Sequence, residues 1–82
     1  MHPFRYSKGS NGTGIDLGSL RIWFSYGIPI AFHDETGLHI RENDWSTTTG
    51  GHLNAIDPDH SKRISGEEFQ KLLAEAKRRN AK

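Results

Sequence analysis

The segment that most limits the folds open to this chain is residues 20–26. Leu20, Ile22, Phe24 and Tyr26 fall on one side of an extended backbone, and Arg21, Trp23 and Ser25 fall on the other. A repeat of two residues marks a β-strand with one face buried and one face in water. Gly27 breaks the run, and Pro29 sits where a following strand begins, a position that tolerates a missing N–H donor. Residues 30–33 are predicted as the second strand and residues 38–42 as the third. Between them, Asp34-Glu35-Thr36-Gly37 has Asp at the first turn position and Gly at the fourth. That suits a type I turn closed by a bulge glycine. The turn pairs Phe32 with Ile40 on the buried side and His33 with His39 on the open side.

Two helices are expected next. Trp45 reads as a core anchor. Ser46 reads as the N-cap of a helix running to about Ile56, with Leu53 and Ile56 as its apolar stripe. Gly50 and Gly51 each cost this helix about 1 kcal/mol relative to alanine. The helix therefore either packs very close to a neighbour or starts late. A loop over residues 57–63 follows. In the second helix Ser65 is the cap and Glu68 completes a capping box. Phe69, Leu72, Leu73 and Ala76 recur at helical spacing. Glu67 and Glu68 at its start, and Lys77, Arg78 and Arg79 at its end, suit the helix dipole.

The fold class predicted is α+β: a three-stranded antiparallel meander followed by two helices packed on one face (βββαα). The buried set is Leu20, Ile22, Phe24, Ile30, Phe32, Leu38, Ile40, Trp45, Leu53, Ile56, Phe69, Leu72 and Leu73. Residues 1–18 carry many glycines and few anchors, and read as a flexible lead. Residues 19–79 form a single domain, and residues 80–82 a frayed tail.

The chain has 82 residues, which allows one small domain without a deep substrate cleft. Eleven basic residues against ten acidic leave a net charge of +1, so any nucleic acid or membrane would have to be held by a local patch. Cysteine is absent, which excludes disulfides and thiolate metal sites. Residues 1–14 contain no apolar run of the signal-peptide kind, and no stretch approaches membrane length. A cytoplasmic protein with no membrane partner is expected.

Two stretches are familiar: Ser25-Tyr26-Gly27-Ile28-Pro29-Ile30-Ala31 and Trp45-Ser46-Thr47-Thr48-Thr49-Gly50-Gly51-His52-Leu53. They resemble a small domain of unknown function found in phages, archaea and bacteria. Its pattern is Ser-Tyr, two variable residues, Pro, Ile or Val, Ala, and later Trp-Ser with a Thr-Thr and a His. The resemblance covers about residues 20–73. It brings no activity with it, and implies a phage or mobile-element setting in which small non-enzymatic binders are common.

Four constellations of residues carry possible chemistry. The open sheet face should present Arg21, Trp23, Ser25, Ala31, His33, His39 and Arg41. Aromatic and cationic groups on an exposed sheet stack bases and touch phosphates in single-strand readers. An exposed tryptophan also suits a protein contact or a homodimer through that face. The expected function is a non-catalytic binding module whose site is Arg21, Trp23, His33, His39 and Arg41, with nucleic acid or protein as partner. No cofactor is expected.

The second constellation, residues 57–68, resembles an EF-hand loop. Asp57, Asp59, Ser61, Arg63 (through its backbone), Ser65 and Glu68 would be the calcium ligands. Lys62 departs from it, standing where the sharp turn needs glycine, and Lys62, Arg63 and His60 bring positive charge to the ion. A polar loop leading into a capping box explains the same residues. The third is a zinc pair, His33 and His39 with Asp34, short of the three or four ligands a site needs. The fourth is a hydrolytic site with Ser46, Thr48 or Thr49 as nucleophile and His52 as base. Asp57 is the only nearby acid to orient that base, and nothing identifies an oxyanion pocket.

Overall fold

A computed structural model describes residues 2–6, 11–45 and 47–81. Its described residues form six strands in sequential order, β1 (His2–Arg5), β2 (Gly12–Asp16), β3 (Arg21–Ser25), β4 (Ile28–Asp34), β5 (Gly37–Arg41) and β6 (Arg63–Ile64). Neighbours are antiparallel except β5 and β6, which run parallel. Helix α1 (Thr47–Ile56) lies between β5 and β6, and α2 (Gly66–Asn80) follows β6. The α+β class stands, but the three-stranded meander is corrected to a six-stranded mixed sheet.

Two of the added strands lie in the segment expected to be a flexible lead. Their composition hides them because pairing, not propensity, makes them strands. Gly14 sits opposite Phe4 on β1 and Trp23 on β3. A Cβ at Gly14 would come within 2.2 Å of the Phe4 ring, so the glycine is what lets that ring lie across the sheet. β6 is two residues pinned beside Ile40 and Arg41, closing a β5–α1–β6 crossover.

The turns decide the faces. β3 and β4 join through Tyr26 and Gly27, whose φ angles are +53° and +78°, as a type I′ hairpin turn requires. Trp23 then pairs with Ala31, but Phe24 pairs with Pro29, so Ile30 is an extra residue in β4. The bulge shifts the facing of Ile28 and Pro29 in β4, while the alternation along β3 is kept. Ser25, expected on the open side, stays on the Trp23 face and is buried at 2% exposure because Thr49 and His52 of α1 lie over it. Tyr26, expected inside, stands in the turn and is 54% exposed. At the β4–β5 turn Asp34 pairs with Gly37, leaving only Glu35 and Thr36 in the loop. Phe32 thus faces His39 rather than Ile40, and Ala31 faces Ile40. A slip of one residue moves every side chain of a strand to the other face.

Both faces of the sheet are therefore covered, not one. On one face Leu20, Ile22 and Phe32 pack against Phe69, Leu73 and Ala76 of α2. On the other, Ile30, Ala31 and Ile40 pack with Leu53 of α1, and Trp23, Leu38 and Ile56 border them. Ser65 caps α2, its hydroxyl accepting from the Glu68 N–H at 3.2 Å. The Asn80 end of the expected frayed tail is still helical, and Lys82 lies outside the described residues. So does Ser46, the expected cap of α1. Trp45 is 43% exposed and is not a core anchor; its ring is covered by the Arg41 guanidinium at 4.4 Å. No helix among the described residues is long and apolar enough to cross a membrane.

Candidate aromatic and cationic site

On its sheet face α1 packs over β4 and β5 and over the Ser25 end of β3, and among the described residues no helix lies over the Arg21 end of β3 and its β1–β2 neighbours. Three of the five expected site residues meet there. Arg21 on β3 pairs in register with His33 on β4, and Trp23 lies on the same face two residues along. The Arg21 guanidinium sits 4.9 Å from the centre of the Phe4 ring and 5.8 Å from that of Trp23. Phe4 meets Trp23 edge to face at 6.2 Å. Asp16 on β2, opposite Arg21 in register, fixes the cation through a 3.1 Å ion pair. The Asp16 carboxyl is held below the usual carboxylate range, first by the Gly18 N–H and then by the Arg21 hydrogen bond. Asp16, Gly18, Ser19, Arg21, Trp23 and His33 enclose a depression of about 330 Å³. Arg21 and His33 are exposed, and Trp23 is half-buried.

His39 and Arg41 are elsewhere. The register of β5 turns both toward α2. His39 stacks on Phe32 at 4.6 Å, and its Nε2 lies 2.7 Å from the Thr36 hydroxyl. Arg41 is only 7% exposed. It donates to Asp44 at 2.7 Å and lies against Gly66, where a Cβ would come within 2.0 Å of its Nη2. The single open face of five side chains does not exist, and His33 and His39 lie on opposite faces of the sheet and so cannot form a facing zinc pair.

A second cluster was missed by sequence reasoning. Ser25 Oγ lies 2.7 Å from His52 Nδ1 and 3.1 Å from Thr49 Oγ1, and all three side chains are buried. Tyr6 and Tyr26 flank the imidazole at 5.8 and 6.0 Å between ring centres. Tyr6 donates to the Phe24 carbonyl at 2.8 Å, and burial pushes its phenol up to about 12. The signal was available in the two stretches quoted above, since Ser25-Tyr26 and Thr49 to His52 meet here in space. A serine–histidine contact is the geometry of a nucleophile and its base. Here, however, Ser25 is sealed from solvent and lies on the imidazole's Nδ1, and among the described residues no carboxylate is hydrogen-bonded to the ring. The contact ties α1 to the end of β3. Of the hydrolytic residues expected, Thr49 and His52 belong to this tie, Thr48 is exposed, and Ser46 lies outside the described residues.

The residues of the calcium-like loop have other partners. The Asp57 carboxylate accepts from the Asp59 N–H at 2.9 Å and from Lys62 Nζ at 3.2 Å. Asp59 accepts from the N–H and hydroxyl of Ser61 and caps a single 3₁₀ turn over His60–Lys62. Arg63 is in β6, with its side chain on Asn54 at 2.7 Å; Ser65 and Glu68 form the α2 cap. Among the described residues no group of three or more His, Cys, Asp and Glu is arranged to hold a metal ion.

Neither the curated proteins nor the solved structures contain a match to this chain. The comparison that succeeds is with a family model, which spans the sheet, α1 and the first part of α2: over residues 4–71 the chain belongs to a family of unknown function, DUF8033.

Proposed function

We propose that this chain is a small non-catalytic binding domain that takes a single-stranded nucleic acid on the Arg21 end of the β1–β3 part of the sheet, beside the end that α1 covers. The observation that carries the reading is the Arg21 guanidinium, held by Asp16 over the Phe4 and Trp23 rings beside the exposed His33. Planar aromatic and guanidinium surfaces on a rigid sheet stack unpaired bases, and cations beside them meet the backbone. The binding site is Arg21, Trp23 and His33 with Phe4 added; His39 and Arg41 play no part. The phage or mobile-element setting implied by the sequence resemblance is compatible with such a module.

Self-association by sheet extension is disfavoured by β1. The Tyr6 N–H bonds to the Gly12 carbonyl at 3.1 Å, so by antiparallel alternation Phe4 and His2 also turn their backbone groups toward β2. That leaves Pro3 and Arg5 facing outward, and proline has no N–H to offer a further strand.

Titration of the chain with single-stranded oligonucleotides, followed by tryptophan fluorescence and anisotropy across a salt series, tests the reading. Binding should weaken steeply with salt. Trp23→Ala should weaken it by about tenfold or more, the usual contribution of one stacked base. Binding that ignores salt and survives Trp23→Ala overturns the reading, as does absence of binding to every strand tried.

A further inference from the structure

The depression beside Arg21 contains a carboxylate, and a carboxylate is out of place in a site built only for phosphates. Asp16 accepts from the Gly18 N–H through Oδ1 at 2.9 Å and from Arg21 through Oδ2 at 3.1 Å. A carboxylate has about four lone-pair sites, so one remains on each oxygen. The wall therefore offers two adjacent acceptors, with the half-buried indole of Trp23 as a neighbouring wall. Those acceptors repel a phosphate, but they match a base edge that carries two adjacent donors. Guanine has that edge, in N1–H and the N2 amino group. Adenine and cytosine place a single amino group beside a ring-nitrogen acceptor, and uracil and thymine place one N–H between two carbonyls.

We infer that this depression selects a guanine base: its Watson–Crick edge meets Asp16, its ring lies against Trp23, and Arg21 and His33 take the backbone or the base carbonyl. The inference rests on the nucleic-acid reading above and names what that site selects. The volume, about 330 Å³, is at the small end for ligand sites and suits one base rather than a run of them. The fixed Arg21–Asp16 pair adds a geometric reason. The ion pair holds both groups in place before a ligand arrives, so a wrong base leaves the carboxylate facing another acceptor.

The test compares thymidine hexamers that carry one central guanine, hypoxanthine or adenine, titrated into the unaltered chain. The guanine strand should bind about tenfold or more tightly than the adenine strand, the discrimination of one two-point base contact. Hypoxanthine, which lacks the N2 amino group, should fall between them. Asp16→Asn should bring the ratio of guanine-strand to adenine-strand affinity close to one, read as a ratio within the variant because Asp16 also holds Arg21; a ratio that stays near tenfold overturns the guanine assignment. Equal, salt-dependent affinity for all three strands overturns the guanine assignment and leaves the nucleic-acid reading standing. No affinity for any strand overturns both. The comparison of strands needs only the unaltered chain, so a poorly folded Asp16→Asn does not blur the outcome.

Discussion

The two faces of the sheet are held in different ways. α2 is a 15-residue helix with a serine cap, acids in its first turn and bases in its last. It lays Phe69, Leu73 and Ala76 on Phe32, Ile22 and Leu20. α1 has ten residues, two adjacent glycines, and no acid in its first turn or base in its last. Its fully buried apolar residue is Leu53, with Ile56 partly buried beside it, and a polar cluster, Ser25–Thr49–His52, adds to the hold. A helix with strong local signals needs only a greasy face to dock on. A helix without them exists because tertiary contacts hold it.

Four substitutions sharpen or break that contrast. Phe69→Ala opens a cavity at the centre of the α2 face and should cost about 4 kcal/mol, measured by urea denaturation. A loss below about 1 kcal/mol would mean that this face is not the main core. Ser25→Ala removes the hydroxyl that lies 2.7 Å from the buried His52 Nδ1 and one contact of Thr49. A buried polar group left without its hydrogen bond costs about 2 kcal/mol. Amide exchange should accelerate in α1 before it does in α2, and uniform acceleration would deny that the cluster is specific to α1.

The third variant concerns the far end of α2. Burial alone pushes the Asp34 carboxyl up, but hydrogen bonds from Thr36 and Arg79, with the charge of His39, outweigh it and hold it below the usual carboxylate range. Arg79 reaches it at 2.8 Å. A carboxyl whose pKa is lower folded than unfolded stabilises above the unfolded value, near 4, and loses that contribution as pH falls through the folded value. Asp34→Asn should therefore cost about 1.5 kcal/mol at neutral pH. The gap to the unaltered chain should close as pH falls below about 4. A gap that persists undiminished at pH 2 would show that the carboxylate's charge is not what matters. The smallest effect has the opposite sign. Gly51 lies mid-helix in α1 with open space where a Cβ would go, so Gly51→Ala should stabilise by about 1 kcal/mol. Destabilisation would reveal that α1 needs that glycine for close packing.

The site was partly legible. Arg21, Trp23 and His33 share a face because alternation along β3 fixes the first two and the cross-strand pair fixes the third. His39 and Arg41 were misplaced because a four-residue turn sequence does not say how many residues form the loop. Asp34-Glu35-Thr36-Gly37 can close with or without the extra bulge residue, and Asp34's own hydrogen bonds to Thr36 select the shorter form. Phe4 and Tyr6 were illegible because their partners, Trp23 and His52, are remote in sequence.

What the sequence alone determined is local. The capping box and spacing of α2, the alternation of β3 and the breaks at Gly27 and Gly37 follow from neighbours within a few residues. Only the tertiary structure decided the register of β4 and β5, the side of the sheet on which α1 lies, and the recruitment of β1, β2 and β6. Strand pairing draws its free energy from contacts far along the chain, and a one-residue choice in a turn or bulge exchanges the two faces. No window of sequence contains both partners of such a choice.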